Sequence, residues 1–325
     1  MKICLFDPGI ENNNGYPSSN LGDLIIQEAV NQELIALFKE PDIKRLSTQS
    51  FVEDLHFRKI NDHSFIFVGG TNLLSSNMNK YKQWKIKFRD AIKIRNAILL
   101  GVGWWQYQTN PNLYTKLLLK IVLSRKIMHS VRDSYTKEKL NSIGIFNVLN
   151  TGCPTMWPLT QINPNEYPKS QSDNALVMLT DYNKKPELDK QLLKLILNKY
   201  KQVYFWPQGR RDYQYIIELN LPVSILENSF DSLKEFCSSG TSFDYIGTRL
   251  HGGIYCLRSR RRALILEIDN RAKEIAKDTN LQTVERDDFE KIEKWIAESP
   301  IPQIKLNCDA INQWRSQFSE KSERV

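Results

Sequence analysis

The chain has 325 residues, of which 41% are hydrophobic and 25% charged, and its formal net charge is +8. That length suits two ordinary domains, and that composition supports packed cores and excludes a disordered or fibrous chain. No run of eighteen apolar residues occurs, and the five cysteines (Cys4, Cys153, Cys237, Cys256, Cys308) form no C-x-x-C pair, so a membrane-spanning helix, a disulfide framework and a zinc site are all unsignalled.

KICLF (2–6) reads as a first buried strand, and Asp7 and Pro8 interrupt the apolar run too early for a signal peptide. A reduced, cytoplasmic protein is the expectation. The polar loop 7–23 leads into a helix with Leu21, Leu24, Ile25 and Ala29 at helical spacing. SFIFVGG (64–70) and NAILLGVG (96–103) are further strands. In KYKQWKIKFRDAIKIR (80–95), Trp84, Phe88 and Ala91 fall on one helical face and Lys82, Lys85, Arg89 and Lys93 on another. LYTKLLLKIVLSRKIM (113–128) reads as a helix followed by a strand. KIMHSVR (126–132) and NVLNTG (147–152) are strands around a short helix, SYTKEKLNSIG (134–144), closed by Gly144. QINPNEYPKSQSDN (161–174) has the composition of a linker. A second series follows: ALVMLTD (175–181), QVYFWPQG (202–209), LPVSIL (221–226), FDYIGT (243–248) and RALILEID (262–269), with helical patterns between.

This alternation predicts an α/β protein of two doubly wound Rossmann-like domains facing a cleft. Their expected extents are 1–165 and 166–300, with a last helix (301–325) packing back on the first. The charge is uneven. Residues 1–165 hold 20 Lys and Arg against 13 Asp and Glu, and residues 166–325 hold 25 against 24. A basic first half suits an anionic partner: nucleic acid, a phospholipid surface or a charged saccharide.

Candidate site residues fall in loops after strands. Asp23, where the first loop enters its helix, is a candidate base, with a capped surface loop as the plainer alternative. Gly69 and Gly70 allow close approach of a ligand or another chain, with a tight strand–helix turn needing positive φ as the plainer alternative. Trp104 and Trp105 are adjacent and cannot both point into one core from a strand, so at least one is expected to be exposed and able to stack on a sugar ring, with one core and one interface tryptophan as the plainer alternative. Arg132 beside a helix start makes an anion site, unless it merely pairs with Asp133. YIGTRLHGGIYCLRS (245–259) is the strongest stretch. Arg249 offers a planar fork for carboxylate or phosphate, His251 exchanges protons near neutral pH, and Gly252 and Gly253 let the backbone crowd a ligand. The competing reading is a buried, satisfied histidine with Arg249 paired to an acid. The stripe at 82–93 and the run RSRRR (258–262) are solvated by default, and the stripe has the sharper reading of a surface for anionic lipid headgroups. The four histidines (His56, His63, His129, His251) are too scattered for a metal centre. No G-x-x-x-x-G-K-[ST], G-x-S-x-G, H-E-x-x-H or G-x-G-x-x-G motif is in place.

NLGDLII, FVGGTNLL, SVRDSYTKEKLNSIGI, NTGCPTMWPL and above all YIGTRLHGGIYCL followed by ILEIDNRAKEI resemble the polysaccharide pyruvyl transferase family over nearly the whole chain. Thr71, where a third glycine is usual, and GVGWWQ, where small residues are usual, depart from the pattern. The resemblance implies a GT-B-like fold of two Rossmann-type domains, the first on the acceptor side and the second on the donor side. It implies transfer of pyruvate from phosphoenolpyruvate to two hydroxyls of a sugar in a cell-surface polysaccharide or its precursor, with phosphate released. By motif, the donor would be held by Arg249, Leu250, His251 and Gly252, with Arg132 as a second cation. His251 would be the acid/base and Asp23 the second choice. Asn20, Gly69, Gly70, Trp104 and Trp105 would lie on the acceptor side. No metal or cofactor is implied. The partners would be phosphoenolpyruvate and a saccharide, lipid-linked or free, with peripheral contact to an anionic membrane surface and no nucleic acid. One alternative is a glycosyltransferase using a nucleotide sugar, with WPQGRRD (206–212) offering contacts. Another is a non-enzymatic glycan- or membrane-binding protein relying on the basic stripe.

Overall fold

Short apolar runs form parallel strands here, and amphipathic segments cover them. The structure is a computed structural model and describes residues 1–53, 60 and 62–322; His56 lies outside the described residues. The chain divides into two compact units: Met1–Ser18, Ile26–Trp157 and Leu306–Val325 form the first, Ser19–Ile25 and Pro158–Lys305 the second. In chain order come β1 (Lys2–Asp7), α1 (Leu21–Phe38), β2 (Asp42–Ser47), β3 (Phe65–Gly69), β4 (Asn72–Leu74), α2 (Phe88–Ile94), β5 (Ile98–Leu100) and β6 (Gly103–Trp104). Next are α3 (Leu113–Val122), β7 (His129–Val131), α4 (Ser134–Asn141) and β8 (Val148–Asn150). The second sheet uses β9 (Asn174–Met178), β10 (Gln202–Phe205), β11 (Ser224–Ile225), β12 (Phe243–Gly247), β13 (Ala263–Glu267) and β14 (Thr283–Glu285). Its helices are α5 (Pro186–Lys199), α6 (Arg210–Leu219), α7 (Phe230–Ser238), α8 (Leu250–Arg258), α9 (Asn270–Thr279) and α10 (Phe289–Glu298), and α11 (Cys308–Ser322) closes the chain.

Among the described residues, the first unit carries a parallel sheet in the order β2-β1-β3-β5. The bridge Val102↔Val131 and the bond Gly101 N to Ser130 O place β7 beyond β5. Successive residues of β1 face opposite ways, as the strand repeat requires. Cys4 and Phe6 join the core that holds Trp84, Trp104 and Leu119, whereas Ile3 and Leu5 join Ile26, Leu34, Trp314 and Phe318 on the other face. Helix α11 packs on β7 and β8. Gln317 accepts from Met128 N (2.8 Å) and donates to Met128 O (3.1 Å), and the Phe318 ring meets Phe38, Phe65 and Phe67.

Four strands were not expected: β2, β4, β6 and β14. β4 and β6 are only three and two residues long, and β2 and β14 are sheet edges whose mostly polar, half-exposed residues form no apolar run. The 80–95 segment also differs from the sequence reading. Helix begins only at Phe88, where the Asp90 carboxylate accepts from Lys87 N (2.9 Å). Lys82, Lys85 and Lys87 instead gather over the Phe51 ring, at 5.8, 5.7 and 4.8 Å. The lysines before Phe88 are therefore held by an aromatic face rather than arrayed along a helix. Among the described residues, no helix is long and apolar enough to cross a membrane.

His129 is buried in β7. Its Nδ1 accepts from Leu99 N (3.2 Å), so Nε2 carries the proton that is donated to Ser124 O (2.9 Å). Burial lowers its pKa from 6.5 to about 4, against the opposing pull of the Ser124 carbonyl. The folded state thus prefers neutral imidazole, and the unfolded chain takes up a proton first as pH falls. Stability should be full above pH 6.5 and decline by about 3 kcal/mol as pH drops toward 4. Denaturant titrations of wild type and His129→Gln across that window check this, since the variant should lose that part of the slope.

The second unit has one parallel sheet, β11-β10-β9-β12-β13-β14, and Val177, Phe205, Ile246 and Leu264 form its centre. Two of its buried ion pairs also take a tyrosine hydroxyl. Asp189 takes Arg286 and the Tyr215 hydroxyl, and Asp244 takes Arg262 and the Tyr200 hydroxyl (2.9 Å). Burial, reinforced by Asp244, pushes the Tyr200 hydroxyl well above the usual phenol range, so it stays a donor. Arg262 belongs to RSRRR, expected to be a solvated turn. It is fully buried, because the last arginine enters β13 beside Asp244.

Candidate functional site

The order of the second sheet reverses at β9. Connections β9–β10–β11 run to one side, and β12–β13–β14 to the other. In such sheets ligands bind beyond the carboxyl ends of the two strands at the reversal. Met178 ends β9 and is the register partner of Gly247, which ends β12. Thr180 and Asp181 therefore leave the sheet beside Thr248, Arg249 and His251.

Arg249 and His251 are each only 5% exposed. The Arg249 guanidinium is tied along one edge: Nε donates to Asp212 Oδ2 (3.0 Å) and Nη2 to both oxygens of that carboxylate. Asp181 lies 3.5 Å from Nη2, and the Tyr182 ring lies beneath at 5.1 Å. Nη1 makes no hydrogen bond among the described residues. Asp212 is itself fixed, because its side chain accepts from Gly209 N (2.8 Å) and Asp181 N (2.9 Å) at the start of α6. Burial pushes the Asp212 carboxyl above its ordinary value, although Arg249 pulls it back. The pairing of Arg249 with an acid, one of the two readings of the sequence, is what the structure contains. It leaves one nitrogen of the fork uncommitted.

His251 and Gly252 lie in the first turn of α8, with Arg249 as the N-cap residue. The two glycines have packing reasons. A Cβ at Gly252 would stand 2.3 Å from Met178 Sδ, and one at Gly253 would stand 2.6 Å from the Tyr245 ring. They let α8 close onto β9 and β12, bringing the helix N-terminus to the strand ends; backbone room for a ligand is not their first use.

Asn20 and Asp23 belong to the second unit. Asn20, expected on the acceptor side, bridges to Gly209. Its Oδ1 accepts from Gln208 Nε2 (3.0 Å), and Leu21 N donates to Gln208 O (2.9 Å). A Cβ at Gly22 would meet Gln208 Nε2 at 2.5 Å, which explains the glycine of NLGD. Asp23 is buried in the same turn of α1.

The other candidates sit in the first unit. Arg132 is fully buried; Nη2 reaches Asn72 Oδ1 (2.5 Å), Nε reaches Asp133 Oδ2 (3.3 Å), and Nη1 has no partner. Asp133 caps α4 through Thr136 N (2.7 Å). A Cβ at Gly103 would stand 2.2 Å from Arg132 Nη2, so that glycine makes room for the guanidinium. At Gly70 a Cβ would stand 2.3 Å from Gly101 O, so close backbone packing between the ends of β3 and β5 accounts for it. Trp104 is fully buried in the core and its indole N–H goes to Gln108 (3.2 Å); of the adjacent pair only Trp105 is partly open, against Tyr81 at 4.8 Å. Among the described residues, no cluster of three or more His, Cys, Asp or Glu is placed to hold a metal ion.

The family model for polysaccharide pyruvyl transferase matches residues 20–270. The chain belongs to that family. The match contains the NLGD turn, Arg132 and the whole Arg249–His251 segment. No curated protein matches the chain in sequence. Among solved structures, the UDP-GlcNAc 2-epimerase of Methanocaldococcus jannaschii with UDP-GlcNAc and UDP aligns with TM-score 0.54 and 13% identity over 99% of each chain. S. aureus MnaA with UDP aligns with TM-score 0.55 and 10% identity, over 100% of this chain and 97% of that one. At such identities the likeness shows the fold alone, which is GT-B-like.

In this pyruvyl transferase family member, sequence reading missed Asp212, Gln208 and Asn72. The first two lie in WPQGRRD, considered only for nucleotide contacts. Much of that loop is engaged internally, for Trp206 Nε1 donates to Ser229 O (3.0 Å) and Gln208 holds Asn20. The spacing Gly209-x-x-Asp212 after a strand was the available signal, being a helix start with an acidic third residue.

Proposed function

We propose that this enzyme transfers pyruvate from phosphoenolpyruvate to two hydroxyls of a sugar, forming a ketal and releasing phosphate. The donor sits at the carboxyl ends of β9 and β12. The observation that carries the reading is Arg249: buried, aimed by Asp212, and left with Nη1 for a ligand at the sheet's reversal point. A guanidinium edge next to a helix N-terminus suits a carboxylate or phosphate. Asp212 holds the planar fork, so little rotamer freedom is lost when the donor binds.

A proton goes to the methylene carbon of the donor, which becomes the methyl group. The positive character that develops at C2 is met by the oxygen of one sugar hydroxyl, which gives up its proton. The C2–O bond to phosphate then breaks, inorganic phosphate leaves, and the second hydroxyl adds at C2 and loses its proton. His251, one helical residue beyond the Arg249–Leu250 corner, is the group proposed to give and take these protons, with Asp23 the second choice. No step requires an electron acceptor. The family match favours this reading over the nucleotide-sugar alternative.

His251→Ala should lower kcat for phosphate release roughly 100- to 10,000-fold, with phosphoenolpyruvate binding reduced far less. The assay uses phosphoenolpyruvate with a panel of p-nitrophenyl hexosides, and calorimetry supplies the binding constant. Undiminished turnover in the variant would remove the acid/base assignment.

A further inference from the structure

Gln208 presents a buried oxygen with no hydrogen-bond partner among the described residues. Its orientation can be deduced. The backbone N–H of Gly22 is a donor without ambiguity, and it points at Asn20 Oδ1 (3.2 Å). That fixes which end of the Asn20 amide is oxygen. The Gln208 atom 3.0 Å from the same oxygen must then be the nitrogen. Oε1 is therefore the remaining atom, and it is buried with no hydrogen-bond partner on a side chain 4% exposed. It faces the first turn of α8, 3.3 Å from where a Cβ at Gly252 would stand. One residue further on, Gly209 abuts Arg249, its Cβ position being 3.0 Å from Nη2. Two residues beyond the end of the neighbouring strand β9, the Thr180 hydroxyl is likewise buried with no partner among the described residues.

A buried carbonyl oxygen costs stability unless a donor reaches it. Phosphoenolpyruvate cannot supply one, because at neutral pH its carboxylate and phosphate are all acceptors. A saccharide is rich in O–H donors. We infer that Gln208 Oε1 receives a non-reacting hydroxyl of the acceptor sugar and positions that sugar beside the donor; this rests on the donor site proposed above. Gln208 is thus a positioning and specificity residue, held at the required angle by Asn20 of the NLGD turn. The motif at the start of α1 acquires a function: it orients an amide on a different element.

The test pairs protein and substrate changes. Wild type, Gln208→Met and Gln208→Glu are assayed for kcat/KM with a p-nitrophenyl hexoside that supports phosphate release and with its monodeoxy analogues. Wild type should lose about tenfold or more on removal of one particular non-reacting hydroxyl. Gln208→Met should show that loss already with the parent sugar and no further loss with the same deoxy analogue. Gln208→Glu, which keeps an acceptor oxygen, should retain the discrimination. Phosphoenolpyruvate affinity by calorimetry should stay within about twofold in a folded Gln208→Met. Identical relative losses for parent and every deoxy analogue would overturn the inference, as would a matching drop in donor affinity. So would failure of every hexoside to support turnover by a wild type that binds phosphoenolpyruvate. If the donor reading itself is wrong, the result differs: wild type takes up no phosphoenolpyruvate at all.

Discussion

Arg249→Lys should raise KM for phosphoenolpyruvate at least tenfold while leaving a folded protein. Lysine keeps a cation for the buried Asp212 carboxylate but replaces a planar fork by a point charge. An ammonium cannot both hold Asp212, as Nε and Nη2 do, and present a second fixed donor like Nη1 to the proposed ligand. Arg249→Ala is the harsher change. It leaves Asp212 buried without its cation, a situation that costs about 3–5 kcal/mol when one partner of a buried pair is removed. Burial already pushes that carboxyl upward, so the variant should relieve itself by protonating Asp212 at higher pH than wild type does. The lysine variant therefore reports on binding, and the alanine variant on the coupling of binding to stability. Phosphate-release kinetics and thermal melts on both separate the two effects. An unchanged donor KM in Arg249→Lys would mean that the fork does not meet the donor.

The largest effect on stability is expected at Asp244. Its carboxylate accepts from Arg262 Nε (3.0 Å), Arg262 Nη2, Ser172 N (3.2 Å), Ser172 Oγ (3.1 Å) and the Tyr200 hydroxyl, and both members of the ion pair are fully buried. Asp244→Ala leaves a guanidinium in the interior with no counter-charge and three donor groups with no acceptor. The loss should be about 3–5 kcal/mol, a large share of the 5–15 kcal/mol typical of a folded protein. Removing both charges, in Asp244→Leu/Arg262→Met, should recover much of it, because the desolvated cation goes too. Denaturant unfolding reads both, and a loss below about 1 kcal/mol in Asp244→Ala would show that the pair is not sealed from water.

Much of the architecture was open to inspection in the residues because strands buried on both faces are continuous apolar runs. FIFVG, ALVM and ALILE could hardly be anything else. The edges β2 and β14 were hidden for the converse reason. DIKRLS and TVE are half-exposed, and their isolated Ile43, Leu46 and Val284 form no continuous apolar run. Among the candidate residues, Arg132, Arg249 and His251 were visible because charge at a strand end is locally conspicuous. Their partners were not, since Arg249 meets Asp212 across 37 residues, Arg132 meets Asn72 across 60, and Asn20 meets Gln208 across 188. No local pattern encodes such meetings. The glycines were visible, but not the neighbours that require them. Gly70, Gly252 and Gly253 make room for the protein's own atoms, a distinction that only close packing reveals. Trp104 was conspicuous by type, yet the strand turned it inward and left Trp105 partly open.

The most direct test of the account is a crystal structure of the wild type soaked with phosphoenolpyruvate. Its carboxylate or phosphate should lie within hydrogen-bonding distance of Arg249 Nη1 and the N-terminus of α8, with the Arg249–Asp212 pair intact. Donor density anywhere else, or a fully occupied donor with Arg249 untouched, would contradict it.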